Sequence, residues 1–312
     1  MARLVDEISL ALAVPPEVIE KGLRNAHSKF RRIIVKKRSG GKRIMIQPAP
    51  ELRLIQQWLL GTYLAKLPVS EIASAFEPGS SILKNAQTHA EALYSVRVDV
   101  KDFFPSIKSK DLFASLKESE PTVKAKLSSV PFKNLIRIAC FDQSDRLPIG
   151  YMTSPHIANC VMKKIDIALV DALAADRERF GHARVTRYAD DFVFSTDKRG
   201  ASKEFLDLLS STFEKCKSPK LTINSAKTRF MSRRGGSTLI TGMRVKPSGV
   251  VGIHADYRDH IRLLLKLSSK NRLKPEDRIS LRGHLAFVQH ADPALYTRLA
   301  YRYHDEMAKY RQ

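Results

Sequence analysis

The period of the apolar positions changes several times along the chain, and each change predicts an element. Leu4, Ile8, Ala11 and Leu12 sit at helical spacing and Pro15-Pro16 ends that stretch, so two short helices are expected around the prolines. Phe30, Ile33, Ile34 and Val35, then Ile44 and Ile46, alternate with basic residues on either side of Ser39-Gly-Gly41, which predicts a β-hairpin. A helix follows from about Glu51 to Lys66. Its Leu52, Ile55, Trp58, Leu59 and Tyr63 mark one face, read as core, and Pro68 follows its end. A polar segment holding Gly79 and Asn85 comes next.

Val96, Val98 and Val100 alternate with Ser95, Arg97 and Asp99, the period-2 signature of a strand with one buried face. Helical stretches are expected over 109–139, and a longer helix from Pro155 to about Leu173. Ala183-Arg-Val-Thr-Arg187 and Phe192-Val-Phe-Ser-Thr196 then read as the arms of a second hairpin, with Tyr188-Ala-Asp-Asp191 at its tip. Ser202–Cys216 reads as a helix, Leu221-Thr-Ile-Asn224 as a strand, and everything beyond Gly252 as helical. Ile261, Leu264, Leu265, Leu281, Leu285, Phe287 and Val288 are its packing positions. No internal repeat, low-complexity tract or long linker interrupts the chain.

Charge changes this picture from a fold to a partner. The 312 residues carry 54 Lys+Arg against 32 Asp+Glu, a formal charge of +22, which suits a polyanion. Eleven basic residues and one acid, Glu51, lie between Lys21 and Arg53. Their alternation with apolar residues predicts two basic strands lying along a phosphate backbone. Three cysteines without Cys-x-x-Cys spacing predict neither disulfides nor structural zinc, and a reducing cytoplasm is the expected location. No apolar run approaches the ~20 residues of a membrane span. Asp6 and Glu7 also interrupt the N-terminal stretch, which is unlike a signal peptide.

The two aspartates of the second hairpin are the candidate chemistry. An Asp-Asp turn alone reads as an ordinary solvated loop. Asp99 alters that reading, because an unpaired carboxylate at the end of an apolar strand is costly. One carboxylate from a strand and two from a hairpin tip suit a pair of divalent cations. Magnesium takes hard oxygen ligands and leaves positions for water and phosphate. Two such ions about 3.5–4 Å apart stabilise an in-line phosphoryl displacement.

Asp99-Val-Lys-Asp-Phe-Phe104 together with Tyr188-Ala-Asp-Asp191 resembles the palm of a reverse transcriptase. Leu147-Pro-Ile-Gly-Tyr-Met-Thr-Ser-Pro155 is similar to that family's Gln-Gly-x-x-x-Ser-Pro segment. Leu221-Thr-Ile-Asn-Ser-Ala-Lys-Thr228 resembles the motif that supplies a palm lysine. Asn85-Ala-Gln-Thr-His89 is similar to the Asn-Ala-x-x-His motif of bacterial retron reverse transcriptases, and Leu239-Ile-Thr-Gly-Met243 to their Val-Thr-Gly motif. The retron motif residues are thus Asn85, Ala86, His89, Thr241 and Gly242.

The resemblance implies an α+β right-hand polymerase fold, in which an antiparallel palm sheet carries helices on one face. Its parts are N-terminal helices and fingers over 1–94, a palm over 95–245 with an interleaved fingers segment at about 109–148, and a helical thumb over 246–312. It implies an RNA-directed DNA polymerase using two Mg2+ ions, with Mn2+ as a substitute. The metal ligands would be Asp99, Asp190, Asp191 and the Val100 carbonyl, with Lys227 acting on departing pyrophosphate. Phe104 would be the steric gate against the 2′-hydroxyl that distinguishes ribose from deoxyribose. Asp102 and Phe103 would offer backbone groups to the triphosphate, which Lys42 and Arg43, or Lys37 and Arg38 instead, would grip. Gly150 would allow close approach of template or nucleotide.

By the same resemblance the partners are deoxynucleoside triphosphates, a structured noncoding template-primer RNA and its branched msDNA product, primed from a guanosine 2′-hydroxyl. A separate effector protein in antiphage defence and host RNase H complete the set, and no membrane is involved. Ile149 departs from the family's usual Gln, so a hydrogen bond from that position to the nucleotide is not carried over. Other bacterial reverse transcriptases, or an RNA-binding scaffold with a vestigial site, are the competing readings.

Overall fold

The computed structural model describes residues 2–36 and 40–310. Lys37, Arg38 and Ser39, the alternative triphosphate grip and the start of the first expected turn, lie outside the described residues. Helices α1 (Ala2–Leu12) and α2 (Pro16–Arg24) part at the two prolines, Pro16 taking the first helical turn where its missing N–H costs nothing. Strands β1 (Phe30–Lys36) and β2 (Lys42–Pro48) pair antiparallel, Phe30 opposite Pro48 and Lys36 opposite Lys42. This basic ribbon is mostly exposed and is followed by α3 (Pro50–Thr62), with Trp58 in the core as expected. The polar segment after it holds a helix, α4 (Ile82–Thr88), capped by Ser81. Apolar periodicity missed α4 because its buried face includes Asn85 and Ala86.

Next come β3 (Tyr94–Asp99), α5 (Phe103–Ser106), α6 (Ser109–Ser115), α7 (Pro121–Ser128), α8 (Val130–Cys140), α9 (Ser154–Ala175) and α10 (Arg177–Phe180). The second hairpin is β4 (Arg184–Tyr188) and β5 (Asp191–Thr196), followed by α11 (Ala201–Lys215) and β6 (Arg229–Ser232). Four of these strands form one antiparallel sheet in the order β4-β5-β3-β6. The strand expected at Leu221–Asn224 is reduced to one bridge, Ile223 to Val100. A 3-10 turn at Ser225–Lys227 breaks it, and the pairing strand forms later, at β6.

A second sheet, unforeseen because each strand has only three residues, comprises β7 (Thr238–Ile240), β8 (Met243–Val245) and β9 (Val251–Ile253). It straddles residue 245, the expected end of the palm. Helices α12 (Ala255–Ser269), α13 (Pro275–Ala291), α14 (Pro293–Arg302) and α15 (His304–Ala308) complete the chain.

Strand β5 divides two cores. Phe192 and Phe194 join Val96, Val98 and Val100 against α9 and α11, and Phe194 stacks on Phe205 with centroids 4.5 Å apart. Val193 points the other way, into a core with Ala86, Ile240 and Leu265. Burying each such side chain contributes about 1.5–3 kcal/mol, so the alternation fixes which sheet face remains for chemistry. The ribbon, the helix-backed sheet and the helical C-terminal region form the expected α+β right hand. No helix among the described residues is long and apolar enough to cross a membrane.

Candidate active site

Asp99 ends β3 and pairs in register with Asp191 at the start of β5. Ala189 and Asp190 make the two-residue turn between β4 and β5, with Ala189 at φ 57°, a conformation costing about 1–2 kcal/mol without glycine. The Val100 N–H donates to the Asp190 carbonyl at 2.9 Å, which ties the hairpin tip to the end of β3. Three acids separated by ninety residues of chain therefore meet at one end of the two central strands.

Their environment is electrostatically unsettled. Burial pushes the Asp191 carboxyl up to about 6; repulsion from Asp190 and Asp99 adds to this, while Arg97 and Lys227 oppose it. Asp190 is also raised, first by burial and then by Asp99, against the charges of Lys227 and Arg43. Arg43, on the basic ribbon, thus acts on the acidic centre. Arg97 Nε lies 3.6 Å from Asp191 Oδ1, near enough to attract but not to bond, and both buried atoms lack a hydrogen-bond partner.

Asp99 is more fully occupied. Lys227 Nζ stands 2.8 and 3.0 Å from its two oxygens, and Asn224 Nδ2 donates to Oδ1 at 2.8 Å. Asn224 N–H also donates to the Asp99 carbonyl at 2.8 Å, so the broken strand exists to hold this residue. Among the described residues no three acidic, histidine or cysteine side chains form a ready-made metal cluster. The donor set still fits a divalent cation: hard carboxylate oxygens, raised affinity for positive charge, and an orphaned Asp191 oxygen.

The hairpin is anchored by residues that sequence reasoning missed. Arg187, immediately before Tyr188, is fully buried and bonds Asp166 of α9 through Nε at 2.8 Å and Nη2 at 2.7 Å. Its Nη1 donates to Asn159 Oδ1 at 2.9 Å, and Asn159 in turn donates to the Ala75 carbonyl. The available signal was a lone acid within the apolar run Ile165-Asp-Ile-Ala-Leu169 and a lone arginine opposite Phe192.

The retron-like motifs form a brace behind the same hairpin. His89 is buried and bonds Ser195 on β5 through Nδ1 at 2.7 Å and Thr186 on β4 through Nε2 at 2.8 Å. Burial holds its pKa down to about 3. Asn85 accepts from Ser74 Oγ at 3.0 Å and donates to Thr241 Oγ1 at 3.4 Å, so the two motifs touch. Thr241 also donates to the Ile82 carbonyl at 3.2 Å. Ala86 is fully buried, and Gly242 takes a φ of 84° just before β8.

The remaining candidates divide by exposure. Lys42, Arg43 and Asp102 are exposed, Phe104 is half-buried, and Phe103 is buried with its ring 5.3 Å from that of Phe104. Gly150 has a use within the fold itself. At φ 110°, its absent Cβ would lie 2.6 Å from the Ile46 carbonyl oxygen, and Ile46 N–H donates to Ile149 O at 2.7 Å. It permits a close approach to β2, docking the ribbon onto the segment before α9.

A basic ribbon over an acid-tipped palm hairpin defines a nucleic-acid polymerase, and the chain belongs to the reverse transcriptase (RNA-dependent DNA polymerase) family, whose model matches residues 34–264. It is 38% identical over 276 residues to the retron Ec73 reverse transcriptase of Escherichia coli, spanning 88% of this chain and 86% of that one. To the retron Mx162 reverse transcriptase of Myxococcus xanthus it is 34% identical over 285 residues, 83% of this chain and 57% of that longer relative. These similarities make it a retron-type reverse transcriptase. The fold superposes on a truncated apo telomerase from Candida tropicalis with a TM-score of 0.49 at 15% identity, over 72% of this chain and 55% of that one.

Proposed function

We propose that this RNA-directed DNA polymerase copies a structured noncoding RNA into branched, RNA-linked single-stranded DNA. The work would be done in the cytoplasm, in antiphage defence with a separate effector protein, and host RNase H would trim the template. The observation that carries the catalytic reading is the meeting of Asp99, Asp190 and Asp191 at one end of the central strands, with Lys227 on Asp99. Family membership and the joined Asn85–Thr241 motifs support the retron reading.

In this reading Asp99, Asp190, Asp191 and the Val100 carbonyl would hold two Mg2+ ions, or Mn2+ in their place. Bound, that pair supplies charge neutralisation for phosphoryl transfer. Lys227, which pairs with Asp99, would neutralise or protonate the departing pyrophosphate. Lys42 and Arg43 reach the triphosphate from the exposed ribbon. Asp102 and Phe103 line the approach with backbone groups, and Phe104 stands under the sugar. Fingers over 1–94 and about 109–148, palm over 95–245 and thumb over 246–312 are the corresponding units.

Co-expression with the flanking noncoding DNA tests the reading. Wild type is expected to yield branched cDNA and Asp190→Asn none. Tight RNA binding without product from either would favour a scaffold.

A further inference from the structure

The helical layer on the far side of the sheet from Asp99 carries a basic groove that the polymerase site does not use. It lies between α6, the first half of α9 and the end of α11, with a volume of about 480 Å³. Asp99 alternates with Val98 and Val100, which pack into the core shared with α9 and α11, so the groove and the carboxylates occupy opposite sides of that core.

Five lysines and two acids line it. Glu118 is taken by Lys163 at 3.0 Å. Asp111 is turned inward, accepting from the Lys108 N–H at 2.7 Å and from the Ser218 hydroxyl. Lys117, Lys164, Lys215 and Lys217 are exposed, and no ion pair joins them to an acid among the described residues. Lys215 suits the last turn of α11, where a cation is favourable, but Lys164 in mid-helix and Lys217 in a loop have no such local use.

Four like charges around one concavity repel each other within about a Debye length. A polyanion relieves that repulsion. Lysines are hydrated point charges that suit phosphate oxygens, and such contacts position a partner without carrying sequence information. No arginine lines the groove, and its apolar floor, Val161 and Ile165, is buried. The groove offers a protein partner none of the aromatic or arginine anchors that concentrate binding energy, whereas phosphates need only the charge.

We propose that this groove is a second nucleic-acid surface, which binds the phosphate backbone of double-stranded segments of the copied RNA outside the catalytic cleft. The inference rests on the RNA-copying reading above. It gives the enzyme a hold on structured RNA that is independent of the strand being copied.

Lysine footprinting on the wild-type protein tests it without any substitution. The cleft is first filled with a short oligo(dT)-primed poly(rA), and lysines are acetylated with and without a 30-base-pair RNA duplex. Protection of Lys117, Lys164, Lys215 and Lys217 by the duplex is the expected result; unchanged acetylation overturns the proposal, as does protection by polyglutamate but not by RNA. The K117S/K164S/K215S/K217S variant supplies the second measurement. Its extension of oligo(dT) on poly(rA) should match wild type, while the dependence of log K for the duplex on log salt should flatten by at least about two, given roughly 0.9 per phosphate contact. An unchanged slope refutes the groove. Wild-type inactivity on poly(rA) would instead count against the polymerase reading, leaving the footprint to decide this one.

Discussion

Removing the guanidinium that anchors the acidic hairpin should be costly in a particular, asymmetric way. Arg187 and Asp166 are both fully buried, joined by bonds of 2.7 and 2.8 Å, with Asn159 at 2.9 Å completing the guanidinium. Breaking a buried pair on one side costs about 3–5 kcal/mol, because the surviving charge is left uncompensated. The two survivors differ. Burial already pushes the Asp166 carboxyl up, so in Arg187→Met it can take a proton and shed its charge, giving a loss near 3 kcal/mol. In Asp166→Leu the guanidinium cannot deprotonate, and the loss should approach 5 kcal/mol. The double variant replaces the pair by apolar groups and should cost far less than the sum, with a coupling of at least about 2 kcal/mol.

Thermal and urea unfolding of the four proteins measure this cycle, at roughly 2–4 °C of Tm per kcal/mol for a chain of this size. Extension of a short primer–template at 20 °C provides the functional arm. The double variant should remain slow even when stable, since an ångström of displacement at a reacting centre can cost about 100-fold. Single variants losing under about 1 kcal/mol, or a double variant equal to the sum of its parts, would refute the anchoring role.

Three further outcomes are expected. His89 is neutral in the fold with its pKa held to about 3, so the unfolded chain binds the extra proton first as pH falls below about 6.5. The raised Asp190 and Asp191 carboxyls gain stability over the same range, so the His89 part is read as the difference between wild type and His89→Gln in urea titrations, which should shrink by about 1.6 kcal/mol between pH 6.5 and 5. Gly150→Ala would place a Cβ 2.6 Å from the Ile46 carbonyl oxygen; trypsin should then cut the basic ribbon faster, with KM for nucleotide rising. Phe104→Val should lower the preference for deoxynucleotides over ribonucleotides by at least about tenfold, ~1.4 kcal/mol, in kcat/KM ratios; an unchanged ratio would remove Phe104 from beneath the sugar.

The sequence by itself determined most elements and the acidic centre. Period-2 alternation at Val96, Val98 and Val100 placed Asp99 on the other sheet face, and strand formers on both sides of Tyr188-Ala-Asp-Asp191 made the hairpin. These are local patterns, set by which positions must leave water. The basic ribbon was legible for the same reason, since charge alternating with apolar residues identifies a strand wherever it lies. What holds the centre together was decided by tertiary structure. Arg187 meets Asp166 across 21 residues, His89 meets Ser195 across 106, and Asn85 meets Thr241 across 156. Polar residues announce no partner along a chain; only folding shows which buried donor reaches which acceptor. Helix α4 and the three-residue strands were hidden likewise, because a short element with a small or polar buried face is stabilised by its neighbours rather than by its own period.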